Sequence, residues 1–110
     1  MSRKSKTVGE RDHLERVAGA GCVICALRLD RGWVQCHVHH LGEGSQPTSD
    51  FGTVGLCEEH HDPNKTGSGF HGMGARTFCR IFRVPGEREE GLLVMENELL
   101  AKRRRYMEEA

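Results

Sequence analysis

Large side chains are scarce in this chain. Aromatic residues make up 5% of it, with one Trp, one Tyr and four Phe. Val, Ile, Leu and Phe together number 23 of 110 residues. A domain of this length buries a modest share of its unfolded surface, so a core this thin calls for an added staple. No apolar run approaches the ~20 residues that span a bilayer, and no membrane association is expected. Net charge is missing too, since 16 basic and 16 acidic residues leave +0. Any polyanion would have to be met by locally sorted cations. The first residues, MSRKSKTVGERDH, are charged and lack an apolar stretch, which speaks against a secretory signal.

The abundance lies elsewhere, in 5 Cys and 7 His. The cysteines stand at 22, 25, 36, 57 and 79, an odd number with one C-x-x-C pair. In a reducing compartment that pattern favours metal over disulfides. Six of the histidines fall between His37 and His71, a window that also holds Cys57.

The sequence organises as one α+β domain. Residues 1–9 read as a disordered basic tail. Glu10–Ala20 reads as a short helix with Leu14, Val17 and Ala18 on one face, ended by Gly19 and Gly21. Trp33–Leu41 alternates like a strand. Trp33, Gln35, His37 and His39 share one face, and Val34, Cys36, Val38 and His40 share the other. A Gly/Ser/Pro loop follows at Gly42–Ser49, then a strand at Gly52–Leu56 and a helical turn at Cys57–His61. Phe70–Arg83 reads as one helix with an inner stripe of His71, Ala75, Phe78 and Phe82, and a separate edge of Arg76, Arg80 and Arg83. Pro85-Gly86 stops it. Glu89–Glu109 reads as a last amphipathic helix with Leu92, Leu93, Met95, Glu96, Leu99 and Leu100 on its face. The working domain spans 10–86, with 87–110 packed against it.

Cys22-Val-Ile-Cys25 and Cys57-Glu-Glu-His60 form C-x2-C-x31-C-x2-H. Two such knuckles complete a tetrahedral Cys3His shell with no open position, the signature of structural Zn2+. The ion would supply folding free energy that the core lacks. Cys36 reads as core-facing, Cys79 as helix packing, Trp33 as core, and His13 and His37 as ordinary structural or surface imidazoles.

His39, His40, His61 and His71 remain. Adjacent imidazoles at a strand end are costly as core residues, because each still needs hydrogen bonds. If His60 faces the zinc, its neighbour His61 faces another direction, toward His39-His40, and His71 reaches the same point from the next helix. Such a set points to a second, open metal site in which one unligated His acts as base near neutral pH. Mg2+ or Mn2+ would suit phosphoryl chemistry, while imidazole ligands also suit Zn2+ or Ni2+. Lys65, Arg76, Arg80 and Arg83 are candidate phosphate contacts, and Lys102–Arg105 is either a further contact or a solvated helix end.

The order C-V-I-C, H-V-H-H-L, D-F-G-T-V-G-L-C-E-E-H-H and a further His resembles the HNH endonucleases, the ββα-metal group. Closer still, it resembles the phage-type recombination-enhancement, RecA-dependent nucleases. The resemblance runs from about Leu14 to Gly86. It implies a small zinc-stabilised ββα-metal core with flanking helices. It implies His40 as general base, His39 and His71 as catalytic-metal ligands, and His61 as a further metal ligand or a phosphate contact, with His39 and His40 open to exchange of roles. The middle Asn of the motif is absent, and Asp50 or Thr53 stands nearest its place. Asp50 is the expected residue to orient the base, since a carboxylate can hold an imidazole N–H. The implied activity is metal-dependent hydrolysis of DNA phosphodiester bonds in phage or prophage recombination. It would occur in the cytoplasm of a bacterial host, on DNA and with a RecA-type recombinase filament, as monomer or homodimer. The competing expectation is a non-catalytic zinc module binding DNA or protein, which would need only Cys22, Cys25, Cys57 and His60.

Overall fold

The computed structural model describes residues 8–41 and 52–109, with side chains to 104. Helix α1 (Val8–Ala20) buries Val17 and Ala20. It stops at Gly21, where φ is +86°. A Cβ there would lie 2.7 Å from the Val34 carbonyl oxygen, so only glycine fits this turn. The Arg103 guanidinium donates to the Ala20 carbonyl at 3.2 Å, placing a cation at the negative end of α1.

The chain then enters α2 (Val23–Leu27), capped by Cys22 through a 3.4 Å bond from the Cys25 amide to its sulfur. Strands β1 (His37–His40) and β2 (Thr53–Leu56) form a two-stranded antiparallel sheet. The register sets His37 opposite Leu56, and His39 opposite Val54. All four residues of β2 are buried, because α1, α2 and α6 pack around it. Its sequence, Thr-Val-Gly-Leu, accordingly shows no polar alternation.

Beyond β2 come α3 (Glu58–His61), α4 (Phe70–Met73) and α5 (Ala75–Ile81). A 3-10 turn at Pro85–Glu87 leads into α6 (Gly91–Glu109). Leu92, Met95 and Leu99 of α6 are buried at helical spacing and face the core with Ile24, Leu56 and Phe78. Truncating any of the three to Ala would cost about 2–5 kcal/mol. Among the described residues no helix is long and apolar enough to cross a membrane.

Five expectations change. The strand expected over Trp33–Leu41 is limited to His37–His40. Trp33 is 57% exposed, with its indole N–H on the Gly19 carbonyl at 2.9 Å, so it braces the end of α1 rather than filling the core. The helix expected over Phe70–Arg83 is two helices broken at Gly74, whose φ of 89° and ψ of 153° no helix contains. That break leaves His71 exposed rather than on a buried face. It also leaves Arg83 beyond the end of α5, at φ +53°, so only Arg76 and Arg80 share a helical face. Cys79 is buried as expected, while Cys36 is half-buried against the core.

Candidate metal centres

The two knuckles meet in the interior. Cys22, Cys25, Cys57 and His60 have relative exposures of 0, 0, 6 and 1%. Each offers one donor atom, and all four atoms lie within 4.8 Å of one another. Cys25 Sγ is 3.8 Å from Cys57 Sγ. His60 Nδ1 is 3.6 Å from Cys22 Sγ, 3.6 Å from Cys25 Sγ and 3.1 Å from Cys57 Sγ. Zinc bonds of about 2.3 Å to sulfur and 2.0–2.1 Å to nitrogen, at tetrahedral angles, separate donors by roughly 3.8 Å and 3.6 Å. The donor set therefore fits a metal such as zinc.

Local structure explains the convergence. Cys22 caps α2, so its sulfur folds back on the Cys25 amide. Cys57 precedes α3, and His60 returns one turn later to the same side. Burial raises the Cys22 and Cys25 thiols above their ordinary range. A cation would supply the charge that favours their thiolates. Three thiolates and one divalent ion leave a net negative centre, and Arg31 lies beside it. Its guanidinium is 3.9 Å from Cys25 Sγ and 3.4 Å from Glu59 Oε1.

A second cluster starts one residue on. His39, His61 and His71 each offer a ring nitrogen, and these three atoms also lie within 4.8 Å of one another. His61 Nε2 is 3.1 Å from His71 Nε2. Two imidazoles on one ion with bonds of about 2.0–2.1 Å stand roughly 3 Å apart, so this spacing fits a shared cation. His39 Nε2 is buried and has no hydrogen-bond partner among the described residues. A buried orphan nitrogen beside two further imidazoles is what a cation would satisfy. Burial is graded across the set: His39 is 6% exposed, His61 is half-buried and His71 is exposed. Access is therefore from the His71 side.

The surroundings of His39 and His61 favour their neutral forms. Burial, then the neighbouring His61, His71 and His40, push His39 down to about 4. Burial, then His71 and His37, lower His61. Neutral imidazole is the metal-binding form. Phe70 packs on the His39 ring with centroids 4.5 Å apart and holds its orientation.

The segment joining His61 to His71 is organised by Asp62. This residue is buried and left-handed, at φ +54°. Its carboxylate accepts from the amides of Thr66, Gly67, Ser68 and Gly69, at 2.8, 2.9, 3.1 and 3.1 Å, and from the Thr66 hydroxyl at 2.7 Å. Burial raises this carboxyl, but the bonds from Thr66, Gly67 and Gly69 outweigh that and leave it below the usual carboxylate range.

The other expected residues stand as follows. His40 lies at the exposed end of β1, opposite Thr53, next to His39 but not among the three residues whose ring nitrogens converge. Asp50 lies outside the described residues. Lys65, Arg76, Arg80 and Arg83 are all exposed. Sequence reasoning missed Asp62, Arg31 and the close approach of His37 to His61. Asp62 carried a signal, because an Asp before Pro63-Asn64 and the polar Thr66 and Ser68 is a loop-organising pattern. His37 carried one too, as it stands two residues before His39 on the same strand face. Arg31 carried none.

A small mixed domain with a helix-flanked two-stranded sheet, a closed Cys3His centre and an open three-histidine centre has the donor sets of a metal-handling protein. The family model for recombination-enhancement, RecA-dependent nucleases matches residues 6–105. The chain belongs to this family. Its name marks a nuclease of recombination enhancement that acts with RecA, and hence with DNA. No curated protein and no solved structure gives a significant match.

Proposed function

We propose that the chain is a metal-dependent, HNH-type endonuclease that hydrolyses DNA phosphodiester bonds, with its catalytic centre at His39, His40, His61 and His71. The observation that carries this reading is the convergence of His39, His61 and His71 on one open point. His40 follows His39 at the end of the strand that supplies it. The β1–β2 hairpin with α3 and α4 behind it is the counterpart of a ββα-metal core. The working unit is residues 10–86, with 87–110 packed on it.

In this reading Cys22, Cys25, Cys57 and His60 hold a structural Zn2+. His39, His61 and His71 would hold the second divalent ion, Mg2+ or Mn2+ as suits a nuclease or Zn2+ or Ni2+ as suits imidazole ligands, and that ion would polarise a phosphoryl oxygen and stabilise the leaving 3′-oxygen. His40 takes a proton from water through a ring nitrogen, and the oxygen so activated attacks phosphorus in line with the departing 3′-oxygen. Asp50 orients His40. Lys65, Arg76, Arg80 and Arg83 neutralise neighbouring phosphates and set position rather than sequence preference. The partner would be a RecA-type filament, which presents the DNA.

The test is cleavage of supercoiled and single-stranded circles in EDTA or in added Mg2+ or Mn2+, with and without a RecA filament. The expected result is cleavage that needs the added ion and is lost in His40→Ala with zinc retained. Undiminished cleavage by that variant overturns the role of His40. One bound ion per chain and no cleavage under any condition would instead assign a non-catalytic zinc module.

A further inference from the structure

His61 is engaged at both ring nitrogens. Its Nε2 faces His71 Nε2 at 3.1 Å. Its Nδ1 faces His37 Nδ1 at 3.2 Å, with the two rings edge to face and centroids 5.3 Å apart. A neutral imidazole carries one N–H, so these two contacts are not independent. An ion held through Nε2 requires that nitrogen to be bare, which places the hydrogen on Nδ1. The atom facing that hydrogen is His37 Nδ1, which must then accept. The hydrogen of His37 is left on its own Nε2, and His37 is exposed, so water can receive it.

We propose that His37 is a positioning residue for the three-histidine centre: its Nδ1 accepts from His61 Nδ1–H and so selects the tautomer of His61 that presents a bare Nε2. His37 stands behind the site rather than in it. The three-histidine group forms from His39, His61 and His71, and His37 meets the opposite nitrogen of the His61 ring. The placement is built into the fold. His37 and His39 share one face of β1, and both rings lie 5.3 Å from that of His61. His37 pairs with Leu56, the residue before Cys57, and α3 starts immediately after. Strand pairing therefore fixes the distance from His37 to the helix that carries His61. A hydrogen-bond acceptor behind a ligating histidine fixes ring orientation and raises ligand basicity.

The inference rests on the reading of this centre as a cation site, but not on nuclease activity. The experiment is done on the full chain prepared with one zinc per chain. Long-range 15N–1H NMR of the histidine rings reports the tautomer, and Co2+ titration reports the affinity of the second centre. In the wild type, His61 is expected as the Nδ1–H form before Co2+ is added. In His37→Phe it shifts toward the Nε2–H form, and Co2+ binding weakens by about 10–100-fold. In His37→Asn, whose amide oxygen takes the place of Nδ1, the Nδ1–H form and most of the affinity return. An Nε2–H form of His61 in the wild type overturns the proposal. So does equal Co2+ affinity in His37→Phe, or a coordination shift of a His37 ring nitrogen when diamagnetic Zn2+ fills the second centre. The wild-type spectrum decides the matter even if a variant fails to fold. Absence of DNA cleavage by the fully loaded wild type would overturn the nuclease reading alone.

Discussion

His60 and His61 are consecutive residues of α3, yet they serve different centres. His60 Nδ1 is 3.1 Å from Cys57 Sγ, and His61 Nε2 is 3.1 Å from His71 Nε2. Successive side chains on a helix diverge by about 100°, so one short helix aims two imidazoles at two points. The helix has four residues and cannot hold its shape alone. An ion bound at the closed centre would anchor it.

A one-way dependence follows. Chelation, or Cys25→Ser, removes the closed centre and with it cation binding at His39, His61 and His71. A structural zinc contributes on the order of 10 kcal/mol, comparable with the whole stability of a small domain. The chain should therefore unfold as well. His71→Ala should abolish the second binding event and leave the first ion and the melting curve nearly unchanged. Calorimetric metal titration with far-ultraviolet circular dichroism checks both halves.

Asp62 should matter more than its place outside both centres suggests. Asp62→Ala strands the amides of Thr66, Gly67, Ser68 and Gly69 and removes the tie between α3 and α4. The melting temperature should fall by several degrees, and protection of those four amides from hydrogen exchange should vanish. Asp62→Asn retains one acceptor oxygen and should fall between the two. Unchanged exchange at these amides would refute the tie.

Glu96 sets a pH dependence. It is 1% exposed on α6, and its Oε1 accepts from the Gly55 amide of β2 at 2.9 Å. Burial, opposed by that bond, raises its pKa from 4.5 to about 7. A carboxyl raised in the folded state stays protonated there after the unfolded chain has ionised. Its contribution is complete below pH 4.5 and is lost as pH rises to about 7. The full swing is on the order of 3 kcal/mol. The Cys36 thiol, held at about 11 by burial and then by Glu96, does not titrate in this window. Glu96→Gln should flatten stability between pH 5 and 8 in denaturant melts and leave the variant more stable than wild type at pH 8.

Two glycines separate backbone strain from crowding. A Cβ at Gly74 or at Gly19 would meet nothing within 4 Å. Gly74 has φ +89°, so Gly74→Ala should cost about 1–3 kcal/mol from backbone strain alone. Gly19 lies inside α1, so Gly19→Ala should stabilise by roughly 0.5–1 kcal/mol. Urea titrations of the two variants should move in opposite directions.

The elements that carry chemistry were legible because ligand spacing is a local property. C-x-x-C and C-x-x-H each fix a tight knuckle, and the two knuckles together imply a closed shell. The alternation of β1 put His37 and His39 on one face, and the offset of His61 from His60 followed from helical geometry. The last helix announced itself through the spacing of Leu92, Met95 and Leu99. The single helix expected over Phe70–Arg83 failed because its apolar stripe continues in register across Gly74. Periodicity counts side chains and does not register one backbone torsion.

The sequence by itself therefore determined which residues can act as donors, which of them pair into knuckles, and that two knuckles could share one ion. Three matters were decided only by the tertiary structure. They are the graded opening of the second centre from His39 to His71, the closure of the 62–69 loop on one carboxylate, and the placement of His37 behind His61. Each depends on distances between segments far apart in the chain. Those distances are set by the pairing of β1 with β2 and by the helices packed around β2, which no local pattern encodes.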